Sequence, residues 1–295
     1  MQSLPESTLK PEEVTLVLVQ QAVTKHRLRY DIVFFKAVLA GLMLSFGALM
    51  NEIVSGGTPA LSDATANPAI PKILGGFVFP SGFVLIPMLG LELLTSNMMV
   101  FPMGIASGHI PWWSLPVNWL IVTFGNLAGS LFSAAILVHY SDILSSEPFF
   151  SGVQAFASKK AVVPEWHQIF LRGIGCNILV CIAIWLSAGA KDTVSKLVAI
   201  WIPIWIFVAC SFDHVIANMF YIPLGIMFDT PGLSAAYYIR KSLIATYLGN
   251  IVGAFIVWGP AAYFYIWEPE YQIRSVNATE AGTAKDIEAG YVKEE

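Results

Sequence analysis

The nine residues 97–105 read NMMVFPMGI, and the nine residues 218–226 read NMFYIPLGI. Both fit the pattern N-M-x-x-x-P-x-G-I. Further along the chain, GNLAG at 125–129 is matched by GNIVG at 249–253, again at an offset of about 120 residues. Two well-separated matches at nearly the same offset indicate an internal duplication, which is typical of membrane transport proteins.

The composition is that of an integral membrane protein. Hydrophobic residues make up 56% of the chain and charged residues 12%, and the mean hydropathy is +0.66. No lysine or arginine lies between Lys72 and Lys159, or between Lys196 and Arg240. A soluble domain needs charged side chains along such lengths, so these stretches predict membrane spans.

The apolar runs predict an all-α integral membrane fold with six transmembrane helices. They lie at 33–55, 72–107, 115–140, 168–190, 194–227 and 241–266. Because each repeat holds three spans, an odd number, the second repeat enters the membrane from the opposite face. We therefore expect two inverted three-helix repeats, at about 31–140 and 168–266, with a site near the bilayer midplane where they meet.

The second and fifth runs have the wrong length for simple spans. Each is about 34 residues, or roughly 50 Å of helix, against a hydrocarbon core of about 30 Å. Prolines interrupt both runs. We expect broken helices with non-helical segments around 89–96 and 209–214, whose free backbone groups face a cavity or another protein group. A long, strongly tilted helix remains the alternative.

The distribution of basic residues predicts the orientation. An N-terminus in the cytosol places ten of the sixteen lysines and arginines inside, so both termini are expected to be cytosolic. In segment 1–30, the apolar residues 14–22 and basic residues 25–29 predict an amphipathic helix lying on the cytosolic membrane surface. The pore domain is expected at 31–267, and 268–295 should form a polar cytosolic tail.

The three cysteines, Cys176, Cys181 and Cys210, all fall inside predicted spans. An odd number of intramembrane thiols without metal-ligand spacing favours packing roles over disulfides or a metal site.

Three ionisable residues lie away from the predicted span ends, all at the breaks: Glu92, Asp213 and His214. Burying a charge in the membrane is costly, so such residues usually have a partner or a function. We expect Glu92 and Asp213 to cap the half-helices that follow them, with proton relay as the alternative. His214 can exchange a proton near neutrality and bind an anion, or it can simply bond a backbone carbonyl. Thr95 offers a hydroxyl from the other break, or a helix cap.

Four segments carry a resemblance to a known family. They are KAVLAGL at 36–42, ELLTSN at 92–97, RGIGCNILVC at 172–181 and FDHVIANM at 212–219. Over about residues 10–266 the chain resembles the formate/nitrite transporter family. The resemblance implies an aquaporin-like fold, homopentamers with one pore per protomer, and passage of a small monovalent weak-acid anion with a proton. Length and tail are similar to the fungal branch, which implies nitrite uptake at the plasma membrane in nitrate assimilation.

The resemblance also implies residue roles. His214 matches the central pore histidine, Thr95 the threonine of the loop in the second helix, and Lys160 the vestibule lysine. The remaining matches are a cytosolic hydrophobic slit (Phe79, Phe83, Phe207), an outer slit (Leu93, Leu94, Val180) and two asparagines beside the outer slit (Asn177, Asn218). Leu94 departs from the usual phenylalanine, which puts the slit width in question, and Asp213 departs from the common glutamate.

The predicted function is proton-coupled transport of nitrite, with formate or lactate transport, or anion-channel conduction, as alternatives. No cofactor, metal, nucleic acid or enzymatic activity is expected, because Glu92 and Asp213 are interpreted as caps and not as a catalytic pair. An aquaporin-like neutral-solute pore is less favoured, since no Asn-Pro-Ala triplet lies at either break. An ammonium channel typically has two pore histidines, and here one lies at depth.

Overall fold

The structure is a computed structural model that describes residues 7–62 and 66–269. The predicted tail and the first six residues lie outside this part of the chain. The helices are α1 (Pro11–His26), α2 (Tyr30–Gly57), α3 (Pro59–Ser62), α4 (Ala69–Val78), α5 (Pro80–Met88), α6 (Leu94–Ala106), α7 (Ser114–Phe132), α8 (Phe149–Ala157), α9 (Trp166–Gly189), α10 (Thr193–Ala209), α11 (Val215–Met227), α12 (Ala235–Tyr237) and α13 (Ile244–Ala262). Four π-helical segments extend helices: Ser133–His139, Ser158–Val162, Tyr238–Leu243 and Tyr263–Trp267.

The all-helical membrane fold is confirmed. Among residues 7–62 and 66–269, five helical stretches are long and apolar enough to cross a membrane: Tyr30–Gly57, Ala69–Met88, Ser114–His139, Trp166–Gly189 and Ala235–Trp267. The remaining apolar helices are α6, α10 and α11, of 13, 17 and 13 residues. At 1.5 Å per residue, α6 and α11 are each roughly 20 Å long, too short to span the bilayer alone. They complete the second and fifth spans, which are broken as predicted.

Each break begins where a left-handed residue stops a helix. In the second span Gly90 has φ +64°, and in the fifth span Ser211 has φ +63°. Glycine adopts this conformation without a steric penalty, whereas Ser211 must be held there by its surroundings. The non-helical residues are 89–93 and 210–214. The first break is therefore shorter than predicted, because α6 already begins at Leu94.

The two halves pack by the same contacts. A side chain at Gly129 of α7 would overlap the Val38 carbonyl of α2, and one at Gly253 of α13 would overlap the Ile174 carbonyl of α9. The absence of a side chain thus lets each helix pair approach closely, as small residues do in membrane proteins. The GNxxG segments match in the sequence because both helix pairs need this close approach.

The apolar side of α1 packs against protein, and its place at the membrane surface stays a prediction. Its apolar residues Val14, Leu18 and Ala22 are buried, and the helix packs against α6 and α9. In the second half α8 packs against α11 in the same way. A half-helix of about 20 Å leaves room at its outer end, and α1 and α8 fill that room. The contacts shared by the two halves therefore include α1 and α8, which precede the predicted repeat starts at 31 and 168.

The molecule has two faces, which we name the α1 face and the α8 face. Gly56, near the end of α2, lies against Phe149 at the start of α8, so α2 runs from the α1 face to the α8 face. The end of α9 returns to the α1 face, where the backbone N–H of Leu9 donates to the Gly189 carbonyl at 2.9 Å. Trp267 donates to the Ala106 carbonyl at 3.0 Å, so both described chain ends lie on the α1 face.

Cys176 and Cys181 are buried, in agreement with packing roles, whereas Cys210 is exposed at the start of the second break.

Candidate pore

His214 and Thr95 bring the two broken helices into direct contact. His214 is the residue before α11, and Thr95 is in the first turn of α6. Both side chains are buried, and His214 Nε2 lies 2.9 Å from Thr95 Oγ1. The backbone N–H of Ala217 donates to His214 Nδ1 at 3.1 Å. Because Nδ1 accepts this bond, the proton of a neutral ring sits on Nε2 and points at the Thr95 hydroxyl.

Aromatic rings cover one side of this pair. Phe207 stacks on the His214 ring at 5.8 Å and 19°, and Phe83 meets it edge-on at 6.4 Å and 80°. Phe79 in turn contacts Phe207 at 5.7 Å. All three rings are buried. They form an apolar wall next to the imidazole.

This aromatic wall lies on the side opposite to the one predicted. Phe207 is in the last turn of α10, which starts on the α1 face and runs toward the α8 face. Just beyond it, Lys160 Nζ, at the end of α8, donates to the Phe212 carbonyl at 3.0 Å. The aromatic slit therefore belongs with Lys160, the residue expected outside. The sequence patterns of the two slits carry no direction, so only the packing shows on which side each lies.

The second apolar wall, Leu93, Leu94 and Val180, is likewise buried but lies toward the α1 face. Leu93 follows Glu92, which pairs with Lys25 of α1, and Val180 is one turn beyond Asn177 toward the α1 end of α9. With the termini in the cytosol, this would be the cytosolic slit, not the outer one.

Asn126 holds the first break together, a role that was not predicted from the sequence. The backbone N–H of Leu94 donates to Asn126 Oδ1 at 3.0 Å. Asn126 Nδ2 donates to the carbonyls of Ala37 at 2.8 Å and Glu92 at 2.9 Å. One amide thus satisfies the first N–H of α6 and the Glu92 carbonyl within the break, groups that a broken membrane helix cannot leave unpaired.

Asn250 does the same in the second break. Its Oδ1 accepts from the Val215 N–H at 2.9 Å, and its Nδ2 donates to the carbonyls of Gly173 at 2.8 Å and Asp213 at 3.0 Å. The repeated GNxxG motif was the available signal, since its glycines mark close approach and its asparagine carries the matching amide.

Glu92 and Asp213 each form an ion pair with a lysine, and the prediction that they cap helices is wrong. Glu92 Oε1 lies 2.8 Å from Lys25 Nζ, and Asp213 Oδ1 lies 2.9 Å from Lys160 Nζ. Within residues 7–62 and 66–269, no backbone N–H of α6 or α11 donates to either carboxylate. The asparagines and the imidazole already occupy those donors. Each acid instead balances a lysine brought in by an amphipathic helix.

Lys160 and Lys25 occupy equivalent places in the two halves, and a role was predicted only for Lys160. The Lys160 side chain is 12% exposed and the Lys25 side chain 18%, so each is mostly buried with its end near a face. Lys159, next to Lys160, is exposed. Each half therefore carries one lysine at the mouth of its break.

The two predicted pore asparagines occupy different places. Asn177 Nδ2 donates to the Asn250 carbonyl at 2.8 Å and to the Thr95 carbonyl at 3.3 Å, at the centre of the molecule. Asn218 Nδ2 lies 3.4 Å from Asp213 Oδ1, on the Lys160 side. Its equivalent, Asn97, donates to Glu92 at 2.8 Å. Asn218 therefore supports the ion pair. It was predicted to lie beside Leu93 and Leu94, but it lies on the Lys160 side.

In the described ranges, no group of His, Cys, Asp and Glu side chains has the arrangement of a metal site. A six-span fold with two broken helices and a buried polar pair between apolar walls defines a membrane transport protein. The chain belongs to the formate/nitrite transporter family, whose profile matches residues 12–265.

Known proteins agree with this assignment. A probable formate transporter of Methanothermobacter thermautotrophicus is 35% identical over 245 residues, covering 79% of this chain and 87% of that protein. An uncharacterized transporter of Saccharomyces cerevisiae is 32% identical over 88% of this chain and 40% of its own length. A solved pentameric formate channel with formate bound superposes with a TM-score of 0.70 at 28% identity, covering 79% of this chain and 96% of that one. The family prediction is confirmed, and the fungal placement stays a prediction.

Proposed function

We propose that this protein carries a small monovalent weak-acid anion, nitrite first, together with a proton through a pore centred on His214. The observation that supports this most is the 2.9 Å contact between His214 Nε2 and Thr95 Oγ1, with a buried apolar wall on each side. A proton-exchanging ring isolated by apolar residues suits a substrate that is charged in water and neutral when protonated.

The proposed order of transport steps follows from the charged and apolar groups along the pore. Lys160 gives the mouth on the α8 face a positive group that raises the local anion concentration. The walls around Phe207 and Leu93 oppose a bare charge, whose cost in the membrane is about 2.5–3.5 kcal/mol or more. Between them His214 hydrogen-bonds the anion through its Nε2–H while a proton arrives through water, or passes the Nε2 proton to the anion as a second proton from water replaces it at Nε2. The neutral acid then crosses the second wall, so anion and proton move together.

Formate is the second candidate. Similar proteins are described as formate channels or transporters, and one solved relative holds formate. Formate and nitrite share charge, size and weak acidity, and nitrite is favoured here through the resemblance to the fungal branch. The same solved relative is pentameric, which supports a homopentamer. We place the protein in the plasma membrane with the α1 face, and hence both termini, in the cytosol.

Uptake of labelled nitrite into liposomes containing the purified protein tests the proposal. We expect uptake that rises as the external solution is acidified, and competition by formate. Uptake that ignores external acidification and carries a current equal to the anion flux would exclude proton coupling. Glycerol-driven swelling without anion uptake would instead favour a neutral-solute pore.

A further inference from the structure

A fourth buried ionisable group lies outside the pore machinery. Glu52, near the end of α2, is 1% exposed. Neither of its carboxylate oxygens has a hydrogen-bond partner among the described residues. No role was predicted for this residue from the sequence. Its burial shows that it is inside the protein, toward the α8 face.

Asn51, the residue before Glu52 in the sequence, is bonded to the second half-helix. Asn51 Nδ2 donates to the Tyr221 hydroxyl on α11 at 2.9 Å. The Tyr221 ring packs on Phe156 of α8 at 4.6 Å, and Lys160 Nζ lies 6.0 Å from the centre of the Phe156 ring.

Among the described residues of the elements packed against α2, no other charged group pairs with Glu52. Lys160 Nζ is occupied by Asp213 and by the carbonyls of Ser211 and Phe212. Tyr221 is the titratable group that α11 presents, and α5, α7 and α8 carry none. Lys72 of α4 is exposed. His139, in the π-helical segment after α7, packs against Tyr140 and Phe228.

The second half has no equivalent acid at the α1 face. Ala37 and Gly173 are equivalent, because each accepts from the asparagine that organises its break. Glu52 lies fifteen residues after Ala37, and the residue fifteen after Gly173 is Ala188. Glu52 therefore breaks the symmetry between the two mouths, and it does so on the Lys160 side.

A buried carboxylate without donors is unfavourable, and a proton removes its charge. With Glu52 neutral, the charges of Lys160 and Asp213 cancel, so the cluster does not repel an anion. With Glu52 ionised, the same cluster carries a net negative charge. We propose that Glu52 is a proton-binding site of the mouth on the α8 face, and that its ionisation lowers the apparent affinity for the anion. This inference rests on the proposed anion transport.

Uptake kinetics of labelled formate or nitrite test the proposal in liposomes containing the full-length protein. For Glu52→Gln we expect the same KM as wild type at acidic external pH and a KM about tenfold lower than wild type at alkaline pH. About tenfold is the effect of one unit charge acting over roughly 10 Å at an effective dielectric constant near 20. Glu52→Asp should retain the wild-type rise in KM. Glu165→Gln, the same chemical change at an exposed position, should behave as wild type.

Infrared difference spectroscopy gives a second readout that needs no transport. Wild type should show the C=O stretch of a neutral carboxylic acid that Glu52→Gln removes and Glu165→Gln retains. Absence of that band, or identical KM profiles for wild type and Glu52→Gln, would overturn the inference. If wild type took up no labelled anion, the proposed function would fail while the infrared band still decided whether Glu52 holds a proton. Elution of each variant at the wild-type position in size-exclusion chromatography shows that it assembles.

Discussion

Nε2 of His214 lies 2.9 Å from Oγ1 of Thr95, across an interval of 119 residues. The histidine belongs to the second half of the chain and the threonine to the first. Because Nδ1 of the same ring caps α11, the ring is fixed at both nitrogens. A residue that can exchange a proton is thus held in one orientation by contributions from both repeats.

Replacing His214 by Asn separates the capping role from the proton role. The Asn side chain can still accept from the Ala217 N–H, so the protein should assemble normally. It cannot supply a proton, so uptake of labelled nitrite should fall by about a hundredfold, the lower end of general acid–base effects. Measurement is by initial uptake rates at several external pH values. Normal uptake with the wild-type pH response would refute the assigned role.

Replacing Thr95 by Val removes the hydroxyl and leaves His214 Nε2 without its partner. A buried polar group left unpaired costs about 1–3 kcal/mol, so both thermal stability and uptake should decrease. Thr95→Ser restores the hydroxyl and should recover most of both. If Thr95→Ser lost as much stability and uptake as Thr95→Val, the methyl group of Thr95 and not its hydrogen bond would be the important feature.

Replacing Asn250 by Leu should destabilise the protein more than any change at the pore centre. Three hydrogen bonds converge on this amide, and each buried group left unpaired costs about 1–3 kcal/mol. We expect the loss of folded protein in detergent, measured by thermal unfolding. Asn126→Leu, its equivalent, should fail in the same way. Asn218→Leu is the comparison: with two long side-chain contacts, to Asp213 and Thr246, it should be milder.

Breaking the pair between Lys160 and Asp213 should be costly because the carboxylate is buried. Lys160→Met leaves it unpaired, at a cost of about 3–5 kcal/mol, and Asp213→Asn added to it should recover part of the stability. Uptake should remain low in both, since the positive mouth is lost. Arg29→Met is the control: its pair with Asp31 is exposed and should contribute at most about 1 kcal/mol. Equal losses for Lys160→Met and Arg29→Met would show that burial is not decisive.

Several features of the site were predictable because they are local in the sequence. The two N-M-x-x-x-P-x-G-I segments mark half-helices, and the prolines and the length of the runs indicate the breaks. His214 and Thr95 stand at those breaks. The roles of Glu92 and Asp213 were not predictable in this way, since their partners Lys25 and Lys160 lie far away in the sequence, on helices outside the spans. A carboxylate before a helix looks like a cap until another group is found to occupy the cap position.

By itself the sequence determined the membrane environment, the six spans, the duplication and the two interrupted helices, because hydropathy, proline and repeat spacing act over short stretches of chain. Only the tertiary structure decided which groups satisfy the breaks, on which face each apolar wall lies, and that Glu52 is buried. These depend on which side chains meet across distant segments. Water cannot satisfy a free backbone group or charge in a membrane interior, so these contacts between distant segments determine the role of each polar residue.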